Sequence, residues 1–259
     1  MLATMIVGVI TLIGLFLGMI LFLEVGRRLR LRSQPKDVEG SAGGLGVVEG
    51  ALFGLMGLVL AFTFSGAASR FDDRRHLIVE EANDIGTAYL RIDLLPSTAQ
   101  PQLREVMRRY VDTRIETYRV LPDLDAAMSL IAKANDIQRE IWDHAIAATK
   151  DLTNPQAATV LLPALNAMFD IANTRFWATQ LHPPMLIFAL LGTLALVCSL
   201  LAGYGMGGGK DRNWIHTVGF ALILTLTVYV IVDMEYPRMG FIRVDSFDQA
   251  LVDVRATME

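Results

Sequence analysis

Residues 50–75 read GALFGLMGLVLAFTFSGAASRFDDRR, and this stretch decides the fold. The run from Gly50 to Ala68 carries no charge and has the length of about 20 apolar residues that a helix needs to cross a bilayer. Five charged side chains then follow between Arg70 and Arg75. This abrupt change predicts a helix that crosses the membrane and continues into water.

Three further apolar stretches have spanning length, at residues 2–23, 185–206 and 214–232. With the second span placed at 47–68, they predict four transmembrane helices. We expect the first stretch to remain as an anchor, because it is longer than a signal-peptide core and its basic residues follow it. Hydrophobic residues make up 53% of the chain and charged residues 19%, and the net charge is −4. This composition excludes a disordered chain, a disulfide scaffold and a basic nucleic-acid binder.

Charge is concentrated between the second and third spans. Residues 70–175 hold 13 Lys and Arg and 16 Asp and Glu. The region is rich in Ala, Leu, Glu and Arg and lacks strand-like alternation, which predicts a water-facing helical bundle. A packing seam is indicated by apolar residues that recur every seven positions, at Phe71, Ile78, Ile85 and Ile92.

The predicted fold class is therefore an all-α integral membrane protein with a helical-bundle domain inserted between transmembrane helices two and three. We divide the chain into the first two spans (1–69), the helical domain (70–183), the last two spans (184–234) and a C-terminal tail (235–259).

The second span carries a stripe of small residues at spacings of three and four. Its members are Gly50, Gly54, Gly57, Ala61, Ser65 and Ser69. Such stripes let helices approach closely in lipid. Two interpretations remain open: packing against another helix of the same chain, or an oligomer axis or pore wall.

Charged residues follow both the second and the fourth span. Those after the second span form a membrane-exit cluster of Arg70, Asp73, Arg74, Glu80, Glu81 and Asp84. The cluster is either a salt-bridged helix start or a charged vestibule around a pore. After the fourth span comes a motif that contains Asp233, Pro237 and Arg238. Asp233 is either a functional ionisable group at the membrane boundary or an end marker paired with Arg238.

No motif for catalysis, cofactor binding or metal binding is present. The stretch from Gly203 to Lys210 resembles a phosphate-binding loop, but Asp211 follows the lysine where Ser or Thr is required. We expect a flexible hairpin there. The four histidines are far apart in sequence and lack metal-ligand spacing. The sequence therefore predicts no enzyme, no catalytic residue, no cofactor and no metal site.

The orientation in the membrane is predicted from the basic residues of the loops. The loop after the first span carries Arg27, Arg28, Arg30, Arg32 and Lys36. This density favours a cytoplasmic loop, which places both termini and the helical domain outside the cytoplasm.

Several blocks of the sequence resemble a known family. They are GLVLAFTFS at 57–65, RFDDRR at 70–75, VEEAN at 79–83, AYLRIDLLP at 88–96 and DMEYPRMGFIR at 233–243. Together they resemble a bacterial membrane family of unknown function that is called bestrophin-like. More distantly, the chain resembles the bestrophins, which are pentameric anion channels.

This resemblance implies a homo-oligomer, pentameric by analogy, that sits in the bacterial inner membrane and conducts an inorganic anion. It implies that the second span lines the pore, with Leu58 and Phe62 at its neck. Gly54 and Ser65, which belong to the small-residue stripe of the same span, are the other two candidate pore residues. It also implies a cytoplasmic helical domain, which is opposite to the orientation that the loop charges favour. The alternative hypothesis is a non-conducting scaffold or sensor that binds a protein partner through the seam of its helical domain.

Overall fold

The computed structural model describes residues 2–32, 38–150, 155–207 and 214–258, and the regular structure in these ranges is helical. Two 3-10 helices lie at Ile92–Leu94 and Asp245–Asp248. The α-helices of these ranges are α1 (Leu2–Arg32), α2 (Val38–Arg91), α3 (Gln100–Arg119), α4 (Leu124–Thr149), α5 (Gln156–Ala178), α6 (Met185–Met206), α7 (Trp214–Glu235) and α8 (Gln249–Ala256).

Four helices of the described ranges are long and apolar enough to cross a membrane. Their segments are Ile10–Arg32, Gly46–Leu94, Met185–Met206 and Trp214–Glu235. The four predicted spans are therefore confirmed as helices of sufficient length and hydropathy. The second is part of α2, which continues without a break into the charged region.

The chain divides into two compact units. The first, the membrane unit, comprises Met1–Ser69 and His182–Glu235. The second, the helical domain, comprises Arg70–Leu181 and Tyr236–Glu259. Helix α2 contributes to both, because the division falls within it.

Glycines hold α1 and α6 of the membrane unit against each other. A Cβ atom on Gly26 would lie 2.0 Å from the Leu200 carbonyl oxygen, and one on Gly203 would lie 2.0 Å from that of Leu23. Only glycine fits so close to a neighbouring backbone, as in other membrane helix pairs. Gly203 is therefore a packing position of α6. The hairpin expected between the third and fourth spans falls on residues 208–213, which lie outside the described residues.

The predicted seam is buried in the helical domain. Ile85 and Ile92 belong to its apolar core with residues of α3, α4 and α5, Ile78 is equally buried, and Phe71 is half-buried. The seam therefore holds the domain's own helices together.

Helix α4 has a side-chain cap at its start. The Asp123 side chain accepts a hydrogen bond from the Ala126 N–H at 3.1 Å.

The C-terminal segment belongs to the same core. Leu251 and Met258 are fully buried, and the Met258 carbonyl accepts hydrogen bonds from the Tyr89 hydroxyl at 3.0 Å and the Arg108 Nε at 2.5 Å. A Cβ atom on Gly86 would touch the Val254 side chain at 3.2 Å, so α8 packs closely on α2. The sequence predicts a separate C-terminal tail at 235–259, whereas the described residues from Tyr236 onward belong to the helical domain.

Candidate functional site

The four candidate pore residues lie on one exposed face of α2. Gly54 and Ser65 are exposed, and the side chains of Leu58 and Phe62 are 53% and 70% exposed. A Cβ atom added to Gly50, Gly54 or Gly57 would meet nothing within 4 Å. In the part of the chain that the structure describes, the small-residue stripe does not pack against another helix of the same chain.

The opposite face of α2 supplies the contacts that hold the helix in the membrane unit. Met56 packs with Leu194 and Cys198 of α6 in a small buried cluster. Phe53 meets Phe220 of α7 edge to face, with ring centroids 6.2 Å apart. Helix α2 is thus attached through one face and presents the stripe on the other.

The residues of the predicted membrane-exit cluster lie on different faces of α2 and differ in burial. Arg74 and Glu81 are buried, Asp73 and Glu80 are exposed, and Arg70 and Asp84 are half-buried. Partial burial and the neighbouring charge of Glu80 raise the pKa of Asp84. The cluster therefore contains one set of charges inside the domain and another on its surface.

Arg74 binds the end of α5. Its Nε donates to the Ala178 carbonyl at 3.1 Å and its Nη2 donates to the Leu181 carbonyl at 3.0 Å. The last carbonyls of a helix lack partners within the helix, and the helix dipole favours a cation there. Arg74 therefore fixes the position of α2 relative to the carboxyl end of α5.

Glu81 is fully buried between two arginines from other helices. Its Oε1 accepts a hydrogen bond from Arg114 Nε of α3 at 2.6 Å, and its Oε2 is bound by Arg175 Nη1 of α5. Burial alone would raise the pKa of Glu81, but the charges of Arg114 and Arg175 outweigh it and hold the pKa below its usual value. Glu81 is therefore a charged carboxylate that joins three helices.

Tyr118 is the centre of the same network. Its ring lies 4.1 Å from the Arg175 guanidinium, 4.8 Å from that of Arg238 and 5.3 Å from that of Arg114. Its hydroxyl accepts a hydrogen bond from Arg114 Nη2 at 2.6 Å. Stacking of guanidinium groups on an aromatic ring is favourable, and more so where water is excluded. Burial raises the pKa of Tyr118.

Arg238 links this network to the C-terminal segment. Its two terminal nitrogens donate to the Asp248 carboxylate at 2.7 and 2.9 Å, and Nη1 also donates to Asp245 at 2.9 Å. Asp248 in turn lies 3.6 Å from Arg175 Nη2. Glu81 and Arg238, which come from motifs far apart in the sequence, therefore belong to one charge network that is buried around Glu81 and partly exposed around Arg238.

The other members of the C-terminal motif lie at the end of α7 and just after it. Asp233 is buried and accepts a hydrogen bond from the Tyr229 hydroxyl at 3.0 Å. Glu235 is buried too, and its carboxylate lies 3.4 Å from His182 Nδ1. The Pro237 carbonyl accepts a hydrogen bond from the Val244 N–H at 3.2 Å, which closes a loop.

The chemistry of the Glu81 network suits it to joining helices. Both carboxylate oxygens of Glu81 are engaged by guanidinium groups, and a carboxylate in this state is a poor proton acceptor. Within the described ranges, no three His, Cys, Asp or Glu side chains are grouped to hold a metal ion.

Comparison with known proteins supplies the family. A model of the bestrophin-like domain matches residues 13–247. The chain belongs to the bestrophin-like family. No curated protein and no solved structure matches this bestrophin-like chain.

The bestrophin-like match includes both sequence motifs that the charge network joins. Four residues that complete the network were not predicted from the sequence: Arg114, Tyr118, Arg175 and Asp248. The sequence does carry a signal that Glu81, a member of the predicted membrane-exit cluster, is buried. Glu81 lies three residues after Ile78 and four before Ile85, so it shares the buried seam, whereas Glu80 does not.

Acid is expected to destabilise the helical domain of this bestrophin-like protein through Glu81. Because the folded pKa of Glu81 lies below the usual value of 4.5, its contribution is full above that value and is lost as the pH falls through the folded pKa. Melting temperatures measured from neutral to acidic pH should therefore fall less steeply for Glu81→Gln than for the wild type. Identical acid profiles of the two proteins would contradict this prediction.

Proposed function

We propose that this bestrophin-like chain forms a homo-oligomeric ion channel in the bacterial inner membrane, with α2 nearest the pore axis. The observation that carries the proposal is the exposed face of α2, which combines the small-residue stripe with Leu58 and Phe62. Family membership adds support, because the chain resembles bestrophins, which are anion channels.

The composition of this face suits the centre of an oligomer. Small residues such as Gly54, Gly57 and Ala61 let helices from neighbouring copies approach closely. The serines at positions 65 and 69 supply hydroxyl groups that water or ions contact more favourably than lipid does. Leu58 and Phe62 lie one turn apart and would form an apolar constriction of the kind that closes pores by excluding water.

Phe62→Ala is expected to raise the single-channel conductance or the open probability by about two-fold or more, because it removes the bulk of the constriction. The measurement is single-channel recording of the purified protein in planar bilayers. Phe64→Ala is the matched control: Phe64 is 44% exposed and lies about 200° around the helix from Phe62. We expect this variant to conduct like the wild type.

Three outcomes would count against this proposal. Absence of current from an intact oligomer in planar bilayers would exclude a channel. A monomeric state in nanodiscs would exclude a pore axis shared by several copies of the chain. Equal effects of Phe62→Ala and Phe64→Ala would contradict the placement of Phe62. The ion class is read from the reversal potential in a KCl gradient, where the bestrophin resemblance favours anions and the exposed carboxylates of Asp73 and Glu80 favour cations.

The alternative hypothesis, a scaffold that binds a partner through its helical domain, depends on the seam. Ile78, Ile85 and Ile92 are buried in the domain itself and offer no surface to a partner. The seam therefore does not favour the scaffold over the channel.

A further inference from the structure

The loop from Pro237 to Val244 presents an aromatic ring to its surroundings. The hydrogen bond from the Val244 N–H to the Pro237 carbonyl brings the ends of the loop together and leaves Phe241 near its tip. Phe241 is 89% exposed, the highest value among the large apolar side chains that the structure describes. Covering so exposed a ring with an apolar or interfacial environment is favourable, because it removes apolar surface from water.

The position of the loop along the chain indicates what that environment is. Helix α7 has 22 residues and is therefore about 33 Å long, close to the ~30 Å thickness of the hydrocarbon core. Trp214 begins α7 and Tyr236 directly follows its last residue. Aromatic residues at both ends of a span are typical of the two membrane–water interfaces. The end of α7 at Glu235 therefore lies at the edge of the hydrocarbon core.

Phe241 lies close in sequence to the residue at that edge of the hydrocarbon core. It lies six positions after Glu235, a distance of at most about 20 Å for an extended chain, and the closed loop shortens it. The polar interface of a bilayer begins at the same edge and is several ångströms deep. Phe241 is thus within reach of the interface that α7 has just crossed.

The base of the loop is fixed, which gives the exposed ring a defined position. Arg238 is bound by Asp245 and Asp248, and Val244 is buried. Arg243, two residues after Phe241, is half-exposed and paired with Asp245. An exposed aromatic residue with a basic side chain close by, as Phe241 has in Arg243, is a composition found in segments that lie at membrane surfaces.

We propose that the 237–244 loop is a membrane anchor that inserts Phe241 into the interfacial layer of the leaflet where α7 ends. The partner is the glycerol and upper acyl region of the lipids. The anchor ties the C-terminal segment of the helical domain to the bilayer surface. The anchor requires no ion conduction, so its test is independent of the test of the proposed channel.

The test places a single tryptophan at this position. Phe241→Trp is made in the full chain with Trp142, Trp177 and Trp214 replaced by Phe, and the protein is reconstituted in phosphatidylcholine nanodiscs. We expect blue-shifted emission that lipids brominated near the headgroup quench more strongly than lipids brominated deep in the chain. The matched control is Leu124→Trp in the same background, at a helical-domain site that is 57% exposed and remote in sequence from the spans.

Two results would overturn the proposal. Emission of Phe241→Trp as red-shifted and unquenched as that of Leu124→Trp would show that the loop lies in water. Blue-shifted emission without lipid quenching would show that the ring is covered by protein, such as a second copy of the chain.

A spin-label measurement keeps the proposal testable if the tryptophan-free background does not fold. Phe241→Cys in a Cys198→Ala chain is labelled with a nitroxide. Collisions with oxygen that exceed those with a water-soluble nickel chelate support insertion, and the reverse order overturns it.

Discussion

Glu81→Gln is expected to lower the stability of the helical domain by about 3–5 kcal/mol, the usual loss when one partner of a buried ion pair is removed. Glutamine keeps the size of the side chain but removes its charge. Arg114 and Arg175 are both buried, and each would lose the carboxylate that it binds. The remaining guanidinium charges would then repel each other around Tyr118.

The measurement is the melting temperature of the purified protein in detergent, followed by circular dichroism. A loss of this size corresponds to a decrease of about 10 °C. Glu80→Gln is the matched control, because it makes the same chemical change one residue away at an exposed position, where substitutions usually stay within about 0.5 kcal/mol. Equal melting temperatures for the two variants would refute the structural role of Glu81.

Gly203→Val is expected to separate α1 from α6 and to destabilise the membrane unit strongly. The added Cβ would lie 2.0 Å from the Leu23 carbonyl oxygen and 2.7 Å from the Leu23 Cα, and neither backbone atom can move aside without shifting a helix. Overpacking of a tight interior typically costs about 1–3 kcal/mol. We expect valine to exceed that range, because it places two further methyl groups at a blocked position.

Gly205→Ala is the control for this effect and should act with the opposite sign. A Cβ atom at Gly205 meets nothing within 4 Å, and alanine in a helix is favoured over glycine by about 0.5–1 kcal/mol. The thermal stability of both variants in detergent checks the pair. A similar loss from both substitutions would mean that glycine is needed here for a reason other than close packing.

The membrane spans were predictable from the sequence because the bilayer imposes a length and a composition that few other structures share. The run from Gly50 to Ala68 can hardly serve another purpose. The seam through Ile85 was predictable for a similar reason, since a seven-residue period specifies one face of a helix. Both signals are local, and both appear in the structure as helices with the expected faces.

The charge network was not predictable in the same way. Arg114 lies 33 residues from Glu81 and Arg175 lies 94, and nothing in their local sequence distinguishes them from arginines that remain on the surface. The pairing of α1 with α6 had a weak signal in the four-residue spacing of Gly203 and Gly207. The glycine-rich composition of that stretch pointed more strongly to a loop.

The burial of Leu251 and Met258 has a consequence for biosynthesis. They complete a core whose other parts, such as Ile85 and Tyr110, are made more than 100 residues earlier. Two spans, α6 and α7, separate these parts in the chain. A domain whose contacts are so distant in sequence closes its core late. As the ribosome elongates the chain, the helical domain must therefore wait for α6 and α7 to be synthesised before its final helix can dock.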